Sequence, residues 1–258
     1  MTADLSTRRE VATVRPLVGP ASPQRLQRIA VLGAGHVGPV IARASITAGY
    51  PVSIAASGDP ENIALITRVL VPGAEPGWAA DAVQNSDIVV LAIPLHKFAT
   101  FDASLVAGKI VVDAMNYWPP IDGVQELFED RQFGSSEIVA QRLAGSTIVK
   151  TLNQIGYHDL EDERRPVGSP DRLALGVAGD DTGAVDVVSG VIERIGYDAV
   201  RLDSLRAGRV LEPGGPVFGA SLRRTEFEAA LEAALRADTQ WVSPAPPSPT
   251  TLQTGDLT

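Results

Sequence analysis

Ten residues, Ile29–Gly38, reading IAVLGAGHVG, constrain this chain more than any other stretch. A short apolar run delivers Gly33, Gly35 and Gly38 in the spacing GxGxxG, and a helical pattern follows. Each glycine has a physical role in that context. Gly33 permits a tight strand-to-helix turn, Gly35 lets backbone come close to a pyrophosphate, and Gly38 lets the helix pack on the strand. The free amides and dipole of the helix then face the phosphates. Spaced glycines alone also mark plain surface turns. The strand before them and the helix after them favour a dinucleotide cradle.

Downstream, strand and helix patterns alternate. Val37–Ala48 carries Val37, Val40, Ile41, Ala44 and Ala48 at helical spacing and stops at Gly49, where a helix C-terminal glycine belongs. Val52–Ala56 predicts a second strand and Pro60–Leu70 a second helix; Trp78–Ala82 fits either a short strand or the start of a helix. DIVVLAIP (Asp87–Pro94) and KIVVDA (Lys109–Ala114) are continuous apolar runs, as in strands covered on both faces. Ser135–Leu143 predicts a helix opened by a serine cap with Glu137 nearby. Thr147–Leu152, Leu173–Ala178 and Asp198–Leu202 predict strands, and Asp181–Ile195 a helix ended by Gly196. A last helix, Thr225–Arg236, presents an apolar face for the body of the protein or for a partner subunit.

Such alternation predicts an α/β fold of the Rossmann type, doubly wound, with a mostly parallel sheet and a small C-terminal extension. The expected organisation is a flexible arm over 1–27, a dinucleotide-binding domain over 28–150 and a smaller α/β portion over 151–241. A Pro/Ser-rich tail over 242–258 has no hydrophobic period and is expected to be disordered.

Composition narrows the function. A net charge of −9, spread along the chain, argues against nucleic acid and anionic membranes as partners. Cysteine is absent, which excludes disulfides, thiolate catalysis and cysteine-ligated metals, and fits a cytoplasmic setting. No apolar stretch approaches the roughly 20 residues that span a bilayer. The first residues carry arginines but no continuous apolar core, so no secretory signal is expected. His158 with Asp159 and Glu161 matches no standard zinc spacing, and no metal is expected. HExxH, a P-loop lysine and a Ser-His-Asp pattern are also missing.

Ligands of open α/β sheets sit outside the carboxyl ends of the strands, where the strand order reverses. That rule selects Gly33, Gly35, His36, Val37 and Gly38 after the first strand and Ser57 after the second. It adds Ile93 and Pro94 at the end of DIVVLAIP and His96 just beyond it, Asn116 after KIVVDA, and Lys150 and Asn153 in KTLN. His36 reads as a pyrophosphate contact. His96 is the best-placed proton donor or substrate contact, against an ordinary surface histidine. Lys150 could hold an anionic substrate, reach solvent or pair with an acid. Asn153 could donate and accept beside a planar ring. Ser57, Gly58 and Asp59 stand where NAD is told from NADP, and Asp59 reads equally as a helix cap.

From Arg28 to Gly219 the chain resembles the NADPH-dependent coenzyme F-420 reductase family, also called F-420-dependent NADP oxidoreductases. The resemblance rests on IAVLGAGHVG, DIVVLAIP, VVDAMN with Asn116, KTLN with Asn153, VAGDD at Val177–Asp181, and GRVLEPGGPVFG. It implies direct hydride transfer between NADPH and a deazaflavin stacked ring on ring, where orientation supplies most of the catalysis. In the family, the serine ending strand two is usually followed by arginine; here Gly58 and Asp59 follow Ser57, leaving NADP or NAD open. Two alternatives stand beside this: a reductase of small imines or carbonyls, and a non-catalytic dinucleotide-binding redox sensor. Whether the chain forms a homodimer is open.

Overall fold

The computed structural model describes residues 26–129 and 132–237. The expected tail over 242–258, and the expected arm over 1–27 except its last two residues, lie outside the described residues.

In chain order the regular elements begin β1 (Ile29–Leu32), α1 (Val37–Thr47), β2 (Val52–Ala55), α2 (Glu61–Leu70), β3 (Glu75–Pro76) and α3 (Ala79–Gln84). Then come β4 (Ile88–Leu91), α4 (Leu95–Phe98), β5 (Ile110–Asp113), α5 (Pro119–Asp122), α6 (Ser135–Arg142), β6 (Thr147–Lys150) and α7 (Asp159–Asp162). The series ends with β7 (Ala174–Gly179), α8 (Thr182–Ile195), β8 (Asp198–Leu202) and α9 (Arg224–Ala237). A short 3-10 helix, Ala207–Leu211, precedes α9.

All strands join one sheet in the order β3-β2-β1-β4-β5-β6-β7-β8. Every pairing is parallel except β6 with β7. This is the doubly wound Rossmann-type arrangement, and the strand order reverses between β1 and β4. The pleat sends alternate residues to opposite faces, so the continuous apolar runs feed two cores. Val31, Val90 and Val112 pack with Val40 and Ile41 of α1 and Val188 of α8. Leu32, Val89 and Val111 pack on the other face with Val83, Phe98 and Val139.

Several elements differ from the sequence reading or decide between its alternatives. Trp78–Ala82 resolves as the approach to α3 and its first turns, after a two-residue edge strand that no periodicity could mark. Helix α6 is not opened by a serine cap. Gly134 holds the cap position and donates its amide to Glu137 Oε2 at 2.7 Å, while Ser135 bonds Glu212 instead. Helix α8 ends at Gly196, whose φ of 117° is left-handed. The apolar face of α9 packs within the chain: Phe227 and Leu231 are buried with Val200 and Leu211. Among the described residues no helix is long and apolar enough to cross a membrane.

Candidate functional site: a dinucleotide crevice

The three glycines of the β1–α1 turn meet very different surroundings. Gly33 has a φ of 127°, and a Cβ there would lie 2.2 Å from the Ala92 carbonyl oxygen. A Cβ on Gly38 would fall 1.8 Å from the Gly33 carbonyl oxygen. Both glycines are therefore required by the packing of strand, turn and helix. Gly35 is exposed, and a Cβ there would meet nothing within 4 Å. Its smallness serves no neighbour in the protein; the space above it suits a ligand that needs close backbone approach. Helix α1 starts at once, with no acidic side chain in its first turn and no side-chain cap on its amides. Those free donors and the helix dipole favour an anion there.

His36 stands at the N-cap of α1 and stacks on Tyr157, with ring centroids 5.6 Å apart and planes 21° from parallel. The loop between β6 and α7 thus covers one side of the turn. A second tie fixes it: Arg43 of α1 grips Glu161 of α7 through two hydrogen bonds, of 2.8 and 2.6 Å. The guanidinium holds the Glu161 carboxyl below the usual carboxylate range. Sequence reasoning missed Tyr157, because nothing in its spacing connects it to residue 36.

At the end of β2, Ser57 and Gly58 are exposed, and Gly58 takes a φ of 101° with open space around it. Asp59 serves as a cap: its Oδ1 accepts from the Glu61 amide at 2.9 Å. At the end of β4, Ile93 is half-buried and Pro94 exposed. His96 Nδ1 lies 3.3 Å from Asp122 Oδ1, and its side chain is 42% exposed against 6% for Asp122. A histidine so paired is well oriented and still open to a ligand.

Asn116 and Asn153 are brought together from β5 and β6. Asn153 Nδ2 donates to Asn116 Oδ1 at 3.0 Å, and Asn116 Nδ2 donates to the Asn153 carbonyl at 2.7 Å. Asn153 Nδ2 also reaches the Leu211 carbonyl at 2.6 Å. Its buried Oδ1 has no hydrogen-bond partner in the protein. Trp118 and Phe218 stack beside them, ring centroids 6.4 Å apart. Leu152, just before Asn153, holds a φ of 66°, a strained conformation that clusters at functional sites.

Lys150 corrects an expectation. Read as a cation for substrate, it is fully buried, with its ammonium 3.2 Å from Asp113 Oδ2 and donating to the Met115 carbonyl at 2.6 Å. Of the readings open to it, pairing with an acid is the one realised. Sequence reasoning missed Asp113, Ser136 and Glu212, which share that cluster. A usable signal existed: Asp113 and Lys150 end two neighbouring apolar strands with opposite charges. A separate groove of about 460 Å³ at the β8 edge, lined by Arg201, Arg224 and Glu228, lies away from the glycine turn.

Fold and site together define a dinucleotide-binding protein of the Rossmann type. Residues 28–117, from β1 through Asn116, match the family model described as "NADP oxidoreductase coenzyme F420-dependent". The matched segment, about a third of the chain, is similar to that family, which supports an NAD(P)-dependent oxidoreductase. No curated protein matches the chain. Among solved structures, a hypothetical protein from Sinorhizobium meliloti is 26% identical, with a TM-score of 0.65, covering 77% of this chain and 96% of that one. A protein from Arthrobacter, provisionally described as an F420-dependent NADP-reductase, is 24% identical with a TM-score of 0.58 over 82% of this chain and 93% of its own. The 3-hydroxyisobutyrate dehydrogenase of Mycobacterium tuberculosis shares the fold at 16% identity and a TM-score of 0.50, over 72% of this chain and 58% of that one.

Proposed function

We propose that this oxidoreductase moves a hydride between NADPH and a deazaflavin, coenzyme F-420, with the two rings stacked in the crevice at the ends of β4, β5 and β6. The observation that carries the nucleotide half is the contrast at the turn: Gly33 and Gly38 are packed, while Gly35 borders open space beside free helix amides. Gly33, Gly35, His36, Val37 and Gly38 would hold the pyrophosphate, Ser57 the ribose end, and Ile93, Pro94 and Asn116 the ring end. The deazaflavin half draws on the family description of residues 28–117 and on the Arthrobacter neighbour's description. The flat Trp118–Phe218 pair beside Asn153 suits a planar acceptor.

When bound, the reduced nicotinamide would supply a hydride, which carries both electrons, and solvent would supply the balancing proton. The chain's own residues orient and enclose. The paired amides of Asn116 and Asn153 would give the ring end a fixed polar floor, and the turn would hold the far end of the cofactor. The division into a dinucleotide-binding part over 28–150 and a substrate-side part over 151–241, in a cytoplasmic protein, belongs to the same reading.

A second reading has one specific observation behind it. Reduction of a small imine or carbonyl needs a proton at the reacting centre, and His96 oriented by Asp122 could give one. The deciding experiment titrates NADPH and NADH into the protein and follows hydride transfer to coenzyme F-420 by stopped flow, with His96→Ala alongside. Transfer to F-420 unaffected by the substitution supports direct transfer. NADPH binding with no transfer to F-420, and His96-dependent reduction of an imine or ketone, would replace it with the second reading.

A further inference from the structure

Beneath the crevice lies a buried charged cluster that nucleotide binding by itself does not require. Asp113 and Lys150 face each other in the β5–β6 register, with side chains 1% and 0% exposed. Asp113 Oδ1 accepts from the Met115 amide at 3.0 Å, and Oδ2 accepts from Ser136 Oγ at 2.5 Å. Lys150 Nζ donates to the Met115 carbonyl at 2.6 Å. Met115 is thus gripped at both its N–H and its C=O. The residue that follows is Asn116, joined in both directions to Asn153.

The same cluster reaches the segment after β8. Glu212 Oε1 accepts from the Ser135 amide at 2.7 Å and its hydroxyl at 2.9 Å. Desolvation raises the Glu212 carboxyl above the usual carboxylate range, opposed by the Lys150 charge and the Ser135 bonds. Asn153 reaches the carbonyl of the adjacent Leu211. A buried ion pair is a weak device for stability, because desolvation offsets most of its attraction and apolar residues of like volume hold a core as well. What an apolar pair could not do is hold both polar groups of Met115 in fixed directions.

We propose that Lys150 is a positioning residue: through Met115 it fixes the Asn116–Asn153 amide pair, and with it the ring end of a bound nicotinamide dinucleotide. The pyrophosphate end is held independently, by the Gly33–Gly38 turn. This rests on the NAD(P) reading of the crevice, and the test separates the two.

Lys150→Met and the charge-neutral pair Asp113→Asn/Lys150→Met are compared with the unaltered protein in three measurements. These are the melting temperature, the NADPH Kd from tryptophan quenching, and the emission of the bound nicotinamide ring. Lys150→Met lowers the melting temperature, because it leaves buried carboxylates without their cation. The neutral pair recovers most of that loss and, if the single variant does not fold, carries the test alone. It binds NADPH within about threefold of the unaltered Kd, while its bound ring emits like a loosely held one and transfer to coenzyme F-420 falls about tenfold or more. Recovery of ring emission and transfer together with melting temperature would show that Lys150 only supports the fold, and would overturn the proposal. Failure of the unaltered protein to bind either NADPH or NADH would overturn the crevice reading and this inference together.

Discussion

The glycine turn after β1 and the floor at the ends of β5 and β6 border the same edge of the sheet, yet they are built by opposite means. The turn is made of backbone. Its shape follows from what Gly33, Gly35 and Gly38 lack, and all its parts lie within six consecutive positions. The floor is made of side chains gathered from four separate segments: Asp113 to Asn116, Ser135 and Ser136, Lys150 to Asn153, and Leu211 with Glu212. A backbone site tolerates change wherever space is open and fails abruptly where it is not. A side-chain site degrades by degrees, as individual partners are lost.

The largest effect is expected where the turn has no room. Gly38→Val would drive a Cβ into the Gly33 carbonyl, 1.8 Å away, and towards Val31. A loss of about 3 kcal/mol or more should follow, read as a collapsed denaturant midpoint. Near-normal stability would mean that strand and helix are not packed as described.

A smaller effect is expected at the end of β2, the segment we propose meets the ribose. Gly58 has a φ of 101°, so an arginine there carries backbone strain, whereas Asp59 lies outside that restriction. Asp59→Arg gives up the cap on α2, at a cost of about 1 kcal/mol. It should also shift selectivity towards NADPH over NADH by about tenfold, through a charge-assisted phosphate contact. Selectivity unchanged in paired titrations would remove this segment from the ribose site.

The smallest effect concerns the floor's charge. The native Glu212 carboxyl binds its proton more tightly than in the unfolded chain, because desolvation dominates. The folded state is therefore favoured below the unfolded-state value, and that advantage is lost as pH rises through the raised native value. Glu212→Gln keeps an oxygen for Ser135 and removes the titration. Its stability relative to the unaltered protein should rise with pH across that window; a difference independent of pH would contradict the assignment.

The contrast between turn and floor also explains what could be read in advance. Strand runs such as DIVVLAIP and the helix ended by Gly196 are local patterns, and the parallel sheet follows from their alternation. The glycine turn between strand and helix was legible for the same reason. The rule that ligands gather at strand ends selects Asn116 and Asn153, but their mutual pairing depends on registry between strands. The choice among the three readings of Lys150 needed the structure, because burial and an opposing Asp113 are tertiary facts. The Tyr157 contact with His36 spans a loop whose course no short-range signal specifies.

The central claim is that the open space at Gly35 is a nucleotide's place, and Gly35→Val tests it most directly. A side chain there meets no protein atom within 4 Å, so the melting temperature should stay within about 2 °C of the unaltered protein's. NADPH titration should show affinity reduced by about a hundredfold or more, as the valine takes the pyrophosphate's room. A stable Gly35→Val protein that binds NADPH as tightly as the unaltered one would contradict the account.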